Sequence, residues 1–335
     1  MDKGKEVFLS IIIPVYNVGK YVEDCLKSVL KQDIAKEEYE VICINDGSTD
    51  NSLEVLRAYE KEYPNVKVID KENGGVCTAR NAGLDVAIGK YIWFIDGDDC
   101  IRQNCLKTLK DVTEKHFPEV VLLKVQRVTD DFALENASPC ALTFLVDDNK
   151  DDICTVTESL FRSDILQNNH IRFHEGIHYG EDFLFQYYVS VYRQGKCRAV
   201  INEPLYFYRQ TPNSAMRTRN EVRWTRQTKD FWELSKVYKK EYDDKISDDK
   251  RILKKTKVRQ YWATEAILCV LPKSSLDYKA TMQGLKADGL YPYPMILGKF
   301  FTAKGLKGKL VQFPKLFFRF EWLYKIYYKV ARKKK

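Results

Sequence analysis

The sequence predicts an α/β fold: a doubly wound, mostly parallel sheet flanked by helices, with a mainly helical C-terminal extension. Three observations predict it. Apolar, β-rich runs alternate with amphipathic helical stretches through the first hundred residues. Those runs lack polar alternation, which marks strands buried on both faces of a parallel sheet. Finally, acidic and amide side chains follow the runs directly, at the strand ends where open α/β sheets bind ligands.

The first strand is VFLSIIIPVY (7–16), followed by a helix with Val22, Leu26, Val29 and Leu30 on one face. YEVICI (39–44) leads into a helix that opens near Asp50 and carries Leu53, Leu56 and Tyr59. VKVI (66–69) precedes a helix through Ala79, Ala82 and Val86, and YIWFI (91–95) ends at Asp96. Beyond residue 118 the pattern changes. Strands are expected at 120–128, 140–146, 199–201 and 205–209, and helices at 156–168, 181–193, 221–240 and 249–270. The Gly- and Lys-rich stretch 298–314 reads as a connector. The predicted organisation is a catalytic domain over 1–216, with a ligand half to about 100 and a second half over 101–216. A helical extension over 217–297 and a basic aromatic tail over 298–335 follow.

Composition narrows the classes. The chain has 335 residues, 44% hydrophobic and 30% charged, enough for a large buried core and unlike a disordered chain. Its nine cysteines include no C-x-x-C pair, which disfavours a disulfide framework or a structural zinc site and favours reduced thiols in the cytoplasm. Asp2 and Glu6 stand where a signal peptide would be basic, and no run of 18 apolar residues occurs.

Three loops carry chemistry. Asp96-Gly97-Asp98-Asp99 follows an apolar strand, and its carboxylates can converge on a hard cation, Mn2+ or Mg2+. An acidic turn capping the next helix explains the same residues. Asn45-Asp46-Gly47-Ser48-Thr49-Asp50 offers a sharp turn and a helix cap, which leaves Asp46 unassigned. Asn73-Gly74-Gly75 opens a helix with Arg80 one turn inside, an arrangement suited either to a phosphate-bearing ligand or to a structural ion pair. The spacing is not G-x-G-x-x-G, so no dinucleotide fingerprint is indicated. Glu181-Asp182, read alone, are acids favoured at a helix N-terminus. His170, His174 and His178 recur every fourth residue, but Gly176 and Gly180 argue against a helix that would align them.

In combination the strings SIIIPVYN (10–17), INDGSTDNS (44–52), NGGVCTARNAGL (73–84), YIWFIDGDD (91–99), YGEDFLF (179–185) and YRQTPNSAM (208–216) resemble the inverting family 2 glycosyltransferases of GT-A fold. The resemblance covers residues 7–216 and implies a transferase that moves a sugar from a UDP-sugar to an acceptor hydroxyl. The acceptor would be a glycan or lipid-linked glycan in cell-surface polysaccharide assembly (capsule, exopolysaccharide or lipopolysaccharide). It further implies that Pro14, Tyr16 and Asn17 frame the uridine and that Asp46 reads the uracil edge. Arg80 would lie near the donor, Asp96 would face the ribose and assist the metal, and Asp98 would bind the metal. Asp182 would be the general base, with Glu181 as its alternative, and Arg209 would hold the leaving diphosphate. Asn220-Glu221-Val222-Arg223-Trp224 departs from the Q-x-x-R-W of processive relatives, which implies transfer of one sugar per encounter. Two other classes were weighed. A sugar-nucleotide pyrophosphorylase would need a Gly-, Arg- and Lys-rich loop after the first strand, which PVYNVGKYV is not. A catalytically inactive nucleotide-sugar or glycan-binding module would bind without turnover.

The tail accounts for the chain's basicity. Residues 299–335 hold twelve Lys and Arg against Glu321 alone, more than the chain's whole net charge of +8. On a helical projection Leu316, Phe317, Phe320, Leu323, Tyr324, Tyr327 and Val330 form an apolar face. Lys315, Arg319, Lys325 and Lys329 lie opposite, with Phe318 and Trp322 straying among them. Such a helix suits either an anionic membrane surface, with the enzyme peripheral on the inner face of the cell membrane, or packing on the protein body. No nucleic-acid reader motif accompanies the charge, so no nucleic acid is expected as a partner.

Overall fold

The computed structural model describes residues 6–132, 144–146, 155–193, 198–211, 219–292 and 318–333. The chain forms two compact units, Met1–Gly176 with Glu181–Ser214, and Ile177–Gly180 with Ala215–Lys335.

The first unit is built on β1 (Leu9–Val15), β2 (Tyr39–Asp46), β3 (Val66–Lys71), β4 (Tyr91–Phe94), β5 (Cys100–Ile101), β6 (Val120–Val128), β7 (Phe144–Val146), β8 (Ser159–Arg162) and β9 (Arg198–Arg209). They form one sheet in the order β3-β2-β1-β4-β8-β6-β9-β5, with β7 also paired to β9. The run β3-β2-β1-β4 is parallel, β8 is antiparallel to both β4 and β6, and β6 and β9 are parallel. Helices α1 (Val22–Leu30), α2 (Ser52–Glu62), α3 (Val76–Val86), α4 (Leu106–His116), α5 (Ser163–Asn168) and α6 (Glu181–Tyr192) accompany it.

Successive side chains of a strand face opposite ways, and both faces here are apolar. Ile11, Ile13 and Val15 of β1 join Leu26, Val29, Val41, Leu56 and Trp93 in one core. Ile12 joins Ile42, Ile44, Ala79, Leu84, Phe94, Phe161 and Phe185 in the other. This two-sided burial is why the sequence shows no alternation over these strands.

Two expected elements differ. The helix expected over 156–168 is a 3-10 turn (Val156–Glu158), then β8, then the short α5. A stretch as short as Ser159–Arg162 (SLFR) shows no periodicity of its own, and pairing to strands on both sides decides it. The two closing strands expected at 199–201 and 205–209 are one strand, β9, irregular in register against Leu122–Val125. Pro204, which lacks an N–H to donate, sits at that irregularity. Of the strand expected at 140–146, Phe144–Val146 is described, and the connector at 298–314 lies outside the described residues.

The second unit contains α7 (Glu221–Asp243), α8 (Lys250–Val270), α9 (Tyr278–Ala287) and α10 (Glu321–Arg332). The first three begin with side-chain caps: Asn220 accepts from Arg223 N–H, Asp249 from Arg251 N–H and Asp277 from Ala280 N–H. The Asn220–Trp224 string is thus, in structural terms, a capped helix start. No helix among the described residues is long and apolar enough to cross a membrane.

The tail helix packs through part of the expected face: Tyr324 is buried and Leu323 and Tyr327 are half-buried, whereas Phe320 and Val330 of that face are exposed. Leu316 and Phe317 lie outside the described residues. The buried side chains are Phe318, Tyr324 and Tyr328, while Phe320, Trp322, Ile326 and Val330 are exposed. Hydroxyl chemistry explains the choice. Buried tyrosines need a partner for the O–H, and Tyr324 donates to Leu268 O at 2.8 Å while Tyr278 stacks against it.

Candidate active site

The carboxyl ends of β1, β2 and β4 each deliver one loop. After β1, Asn17 adopts a left-handed conformation (φ 53°) and joins the β2 loop. Its N–H donates to Ser48 Oγ at 3.1 Å and its Oδ1 accepts from Thr49 N–H at 2.7 Å. Pro14 and Tyr16 flank this latch, and the Tyr16 ring is half exposed. After β2, Gly47 has φ 69°, and a Cβ there would lie 2.8 Å from the Asn73 nitrogen, so only glycine allows the two loops to meet. Asp50 supplies the expected cap for α2, accepting from Ser52 N–H at 2.9 Å.

Asp46 is buried at this junction. Its carboxylate accepts from Gly74 N–H at 3.0 Å, Gly75 N–H at 2.8 Å and the Lys71 ammonium at 2.5 Å. An ionised carboxylate offers about four lone-pair sites, so one acceptor position remains for an outside N–H. Lys71 was not singled out from the sequence; lying at the end of a strand and three residues before the Gly pair, it reads there as ordinary surface charge.

Arg80 joins the loops to α6. It is 3% exposed. One guanidinium nitrogen donates to Asp96 Oδ1 at 3.0 Å, the other to Asp182 Oδ1 at 3.0 Å and to Glu181 Oε1 at 3.5 Å. Its plane lies over the Phe173 ring, 5.1 Å from the centroid. Phe173 is held in turn by reciprocal bonds with the Asn81 amide, 2.9 and 3.0 Å, and by stacking on Phe185 at 4.2 Å. Acids separated by more than eighty residues in sequence therefore meet around one cation.

After β4 the two further acids of the Asp-Gly-Asp-Asp loop have different surroundings. Asp99 is buried, with Tyr206 O–H donating to it at 2.5 Å and Arg209 N–H at 2.7 Å. The Tyr206 oxygen also accepts from Asp96 N–H at 3.2 Å. Burial, with Asp98 and Asp96 nearby, pushes the Asp99 carboxyl up to about 9. Asp98 is half-buried; burial first, then the Asp96 charge, raises it to about 6. Asp98 and Asp96 offer two hard oxygen donors of the kind Mn2+ or Mg2+ takes, and among the described residues no group of three or more His, Cys, Asp or Glu is gathered for a metal. Replacing Tyr206 by Phe is expected to destabilise the fold by about 1–3 kcal/mol, since Asp99 loses its hydroxyl donor; urea unfolding checks this.

Arg209 needs a correction. It was expected to hold the diphosphate, but it is 3% exposed and its five N–H donors are engaged within the protein. They reach Asp98 O, Asp130 O, Phe132 O, Asp24 Oδ2 and Cys100 Sγ. Arg209 fixes the loop that presents Asp98. Residues 212–216 of the same motif lie outside the described residues. The three histidines do not share a helix. His170 has a left-handed backbone, His174 Nδ1 meets Glu175 O, and His178 lies against Arg226.

Residues 10–205 match the family described as Glycosyl transferase family 2. The chain belongs to that family. It is 31% identical over 217 residues to the "Uncharacterized glycosyltransferase EpsJ" of Bacillus subtilis, covering 62% of each chain. It is 33% identical over 206 residues to a Bacillus spizizenii poly(ribitol-phosphate) beta-glucosyltransferase, covering 60% of this chain and 32% of that one. The chain thus spans less than two thirds of the length of these relatives. Among solved structures, Staphylococcus aureus TarS 1–349 in complex with UDP superposes with a TM-score of 0.61 at 20% identity, covering 98% of this chain and 90% of that one. TarS 1–349 has also been solved with UDP-GlcNAc, with a TM-score of 0.59. These likenesses establish a GT-A architecture for the chain.

The two acids at the start of α6 are unequal. Burial and the adjacent Asp182 charge push Glu181 up to about 8. Asp182 is also raised by burial, but Arg80 lies closer to it, and the Val156 N–H also bonds to it; both favour its ionised form. Burial thus raises both carboxyls, and the Arg80 guanidinium and the Val156 N–H oppose that rise at Asp182.

Proposed function

We propose that the chain is an inverting, metal-dependent hexosyl- or N-acetylhexosaminyltransferase that uses a UDP-sugar and extends a cell-surface glycan or lipid-linked glycan. The observation that carries this reading is the Arg80 bridge, which draws Asp96 and Asp182 to one place.

Asp182 accepts the proton of the acceptor hydroxyl as that oxygen attacks the anomeric carbon. The bond from that carbon to the diphosphate oxygen breaks in the same displacement, so an α-linked donor yields a β-linked product. Asp98 and Asp96 would hold a divalent cation, which when bound would supply charge stabilisation to the departing diphosphate. Asp46 offers its remaining lone pair to the uracil imide N–H, and Pro14, Tyr16 and Asn17 frame the uridine. Glu181 keeps its proton and limits charge repulsion beside the base. The β-linked products named for the Bacillus spizizenii relative, and the UDP-GlcNAc complex of TarS, support inversion and a UDP-sugar donor.

The test is UDP release from UDP-glucose, UDP-galactose, UDP-GlcNAc and UDP-GalNAc, each with and without Mn2+ or Mg2+. Metal-dependent release from at least one donor is expected, and Asp98→Ala should remove it. Tight binding of a UDP-sugar with no turnover under any condition would instead identify a binding module.

A further inference from the structure

We propose that the outward side of α10 seats on an anionic lipid surface, with Trp322 and Ile326 entering the headgroup layer. Among the described residues the helix is anchored on one side. Tyr324 donates to Leu268 O, Tyr291 donates to Phe318 O at 2.6 Å, Tyr328 packs on Tyr278 with centroids 4.8 Å apart, and Lys286 pairs with Glu321 at 2.6 Å. These contacts fix which side faces away.

That side combines two chemistries. Trp322, Ile326 and Val330 are 65%, 55% and 52% exposed. At four-residue spacing they form a stripe about 12 Å long on a helix rising about 1.5 Å per residue. At 100° per residue Lys325, Lys329 and Lys333 run alongside the stripe, all exposed, with Arg319 and Arg332 at the two ends. Glu321, the single acid of this segment, is already paired. A water-facing helix side has no use for a tryptophan ringed by lysines. An interface rich in anionic headgroups does, because cations meet phosphates while the indole and aliphatic groups leave water. A polyanion such as nucleic acid would match the lysines but give Ile326 and Val330 nothing. The linear row of cations therefore favours lipid over a second copy of this strongly basic helix, which would repel it.

The experiment is cosedimentation of the full chain with vesicles of phosphatidylcholine alone or with one third phosphatidylglycerol. Binding is expected only to the anionic vesicles. Lys325→Gln with Lys329→Gln should weaken it by about 25-fold, since each cation near such a surface contributes about fivefold. Trp322→Ser with Ile326→Ser should weaken it by about tenfold or more through lost apolar insertion. These side chains are exposed, and circular dichroism of each variant establishes that the fold is intact. Equal binding to neutral vesicles, or anionic binding indifferent to the Trp322 and Ile326 changes, would overturn the proposal. So would concentration-dependent self-association lost in Trp322→Ser without any vesicle binding, which would name a second copy as the occupant. The readout needs no sugar transfer, so it stands or falls separately from the proposed reaction.

Discussion

Asp182→Asn is expected to lower the rate of sugar transfer by about a thousandfold, the scale of a positioned general base, while leaving UDP affinity within about threefold. Asparagine keeps the size of the side chain and retains one accepting oxygen for Arg80, but it cannot take a proton. At neutral pH the neighbouring acid is a poor substitute, because burial and the Asp182 charge raise Glu181 to about 8. Loss of the Asp182 charge lowers that value, so Glu181 in the variant ionises at lower pH than in the parent, and part of the activity is expected to return as pH rises through that ionisation. A Glu181→Gln and Asp182→Asn double variant distinguishes the two: recovery at high pH should vanish in it. Initial rates of UDP release over pH 6–9, beside calorimetric titration with UDP, measure both quantities.

The largest stability effect is expected from Arg80→Met, about 3 kcal/mol in urea unfolding at neutral pH. Arg80 is buried, and three carboxylates are arranged around it. Removing the guanidinium leaves those acids facing each other in a half-dry cleft. Part of the cost is relieved by protonation and by the partial exposure of Asp96, which keeps the figure at the lower end for a broken buried ion pair. The destabilisation should shrink as pH falls and the acids protonate. Arg80→Lys should recover some stability but little activity. A single ammonium at the end of a flexible stem cannot span Asp96 and Asp182 as the planar guanidinium does.

The strand-and-helix alternation up to residue 100 was legible because each element there carries a strong periodic signal and each loop begins with a polar residue at a strand end. The Asp182 placement was legible through motif order, although nothing local distinguishes it from an N-terminal helix acid. Three features were not legible, for physical reasons. β8 is four residues long and owes its state to partners β4 and β6, which no window of sequence contains. Arg209 looks like a phosphate ligand because its charge is visible in sequence, whereas its engagement by three backbone carbonyls is a product of the fold. Lys71 and Tyr206 act by completing the bonds of Asp46 and Asp99, and their roles exist only after distant strands are aligned. On α10 the helical projection placed Tyr324 on the apolar face, but it put Phe318 among the cations and did not single out Tyr328, both of which are buried.

In the proposed reaction, acids from the β4 loop and from the start of α6 serve one centre, some holding the donor and one deprotonating the acceptor. A crystal structure with UDP and Mn2+ tests this most directly. The metal is expected on Asp98 beside the diphosphate, with uracil against Asp46 and the Asp182 carboxylate facing the space where the sugar's anomeric carbon would lie. A metal-bound diphosphate away from Asp98, or an Asp182 turned from that space, would contradict it.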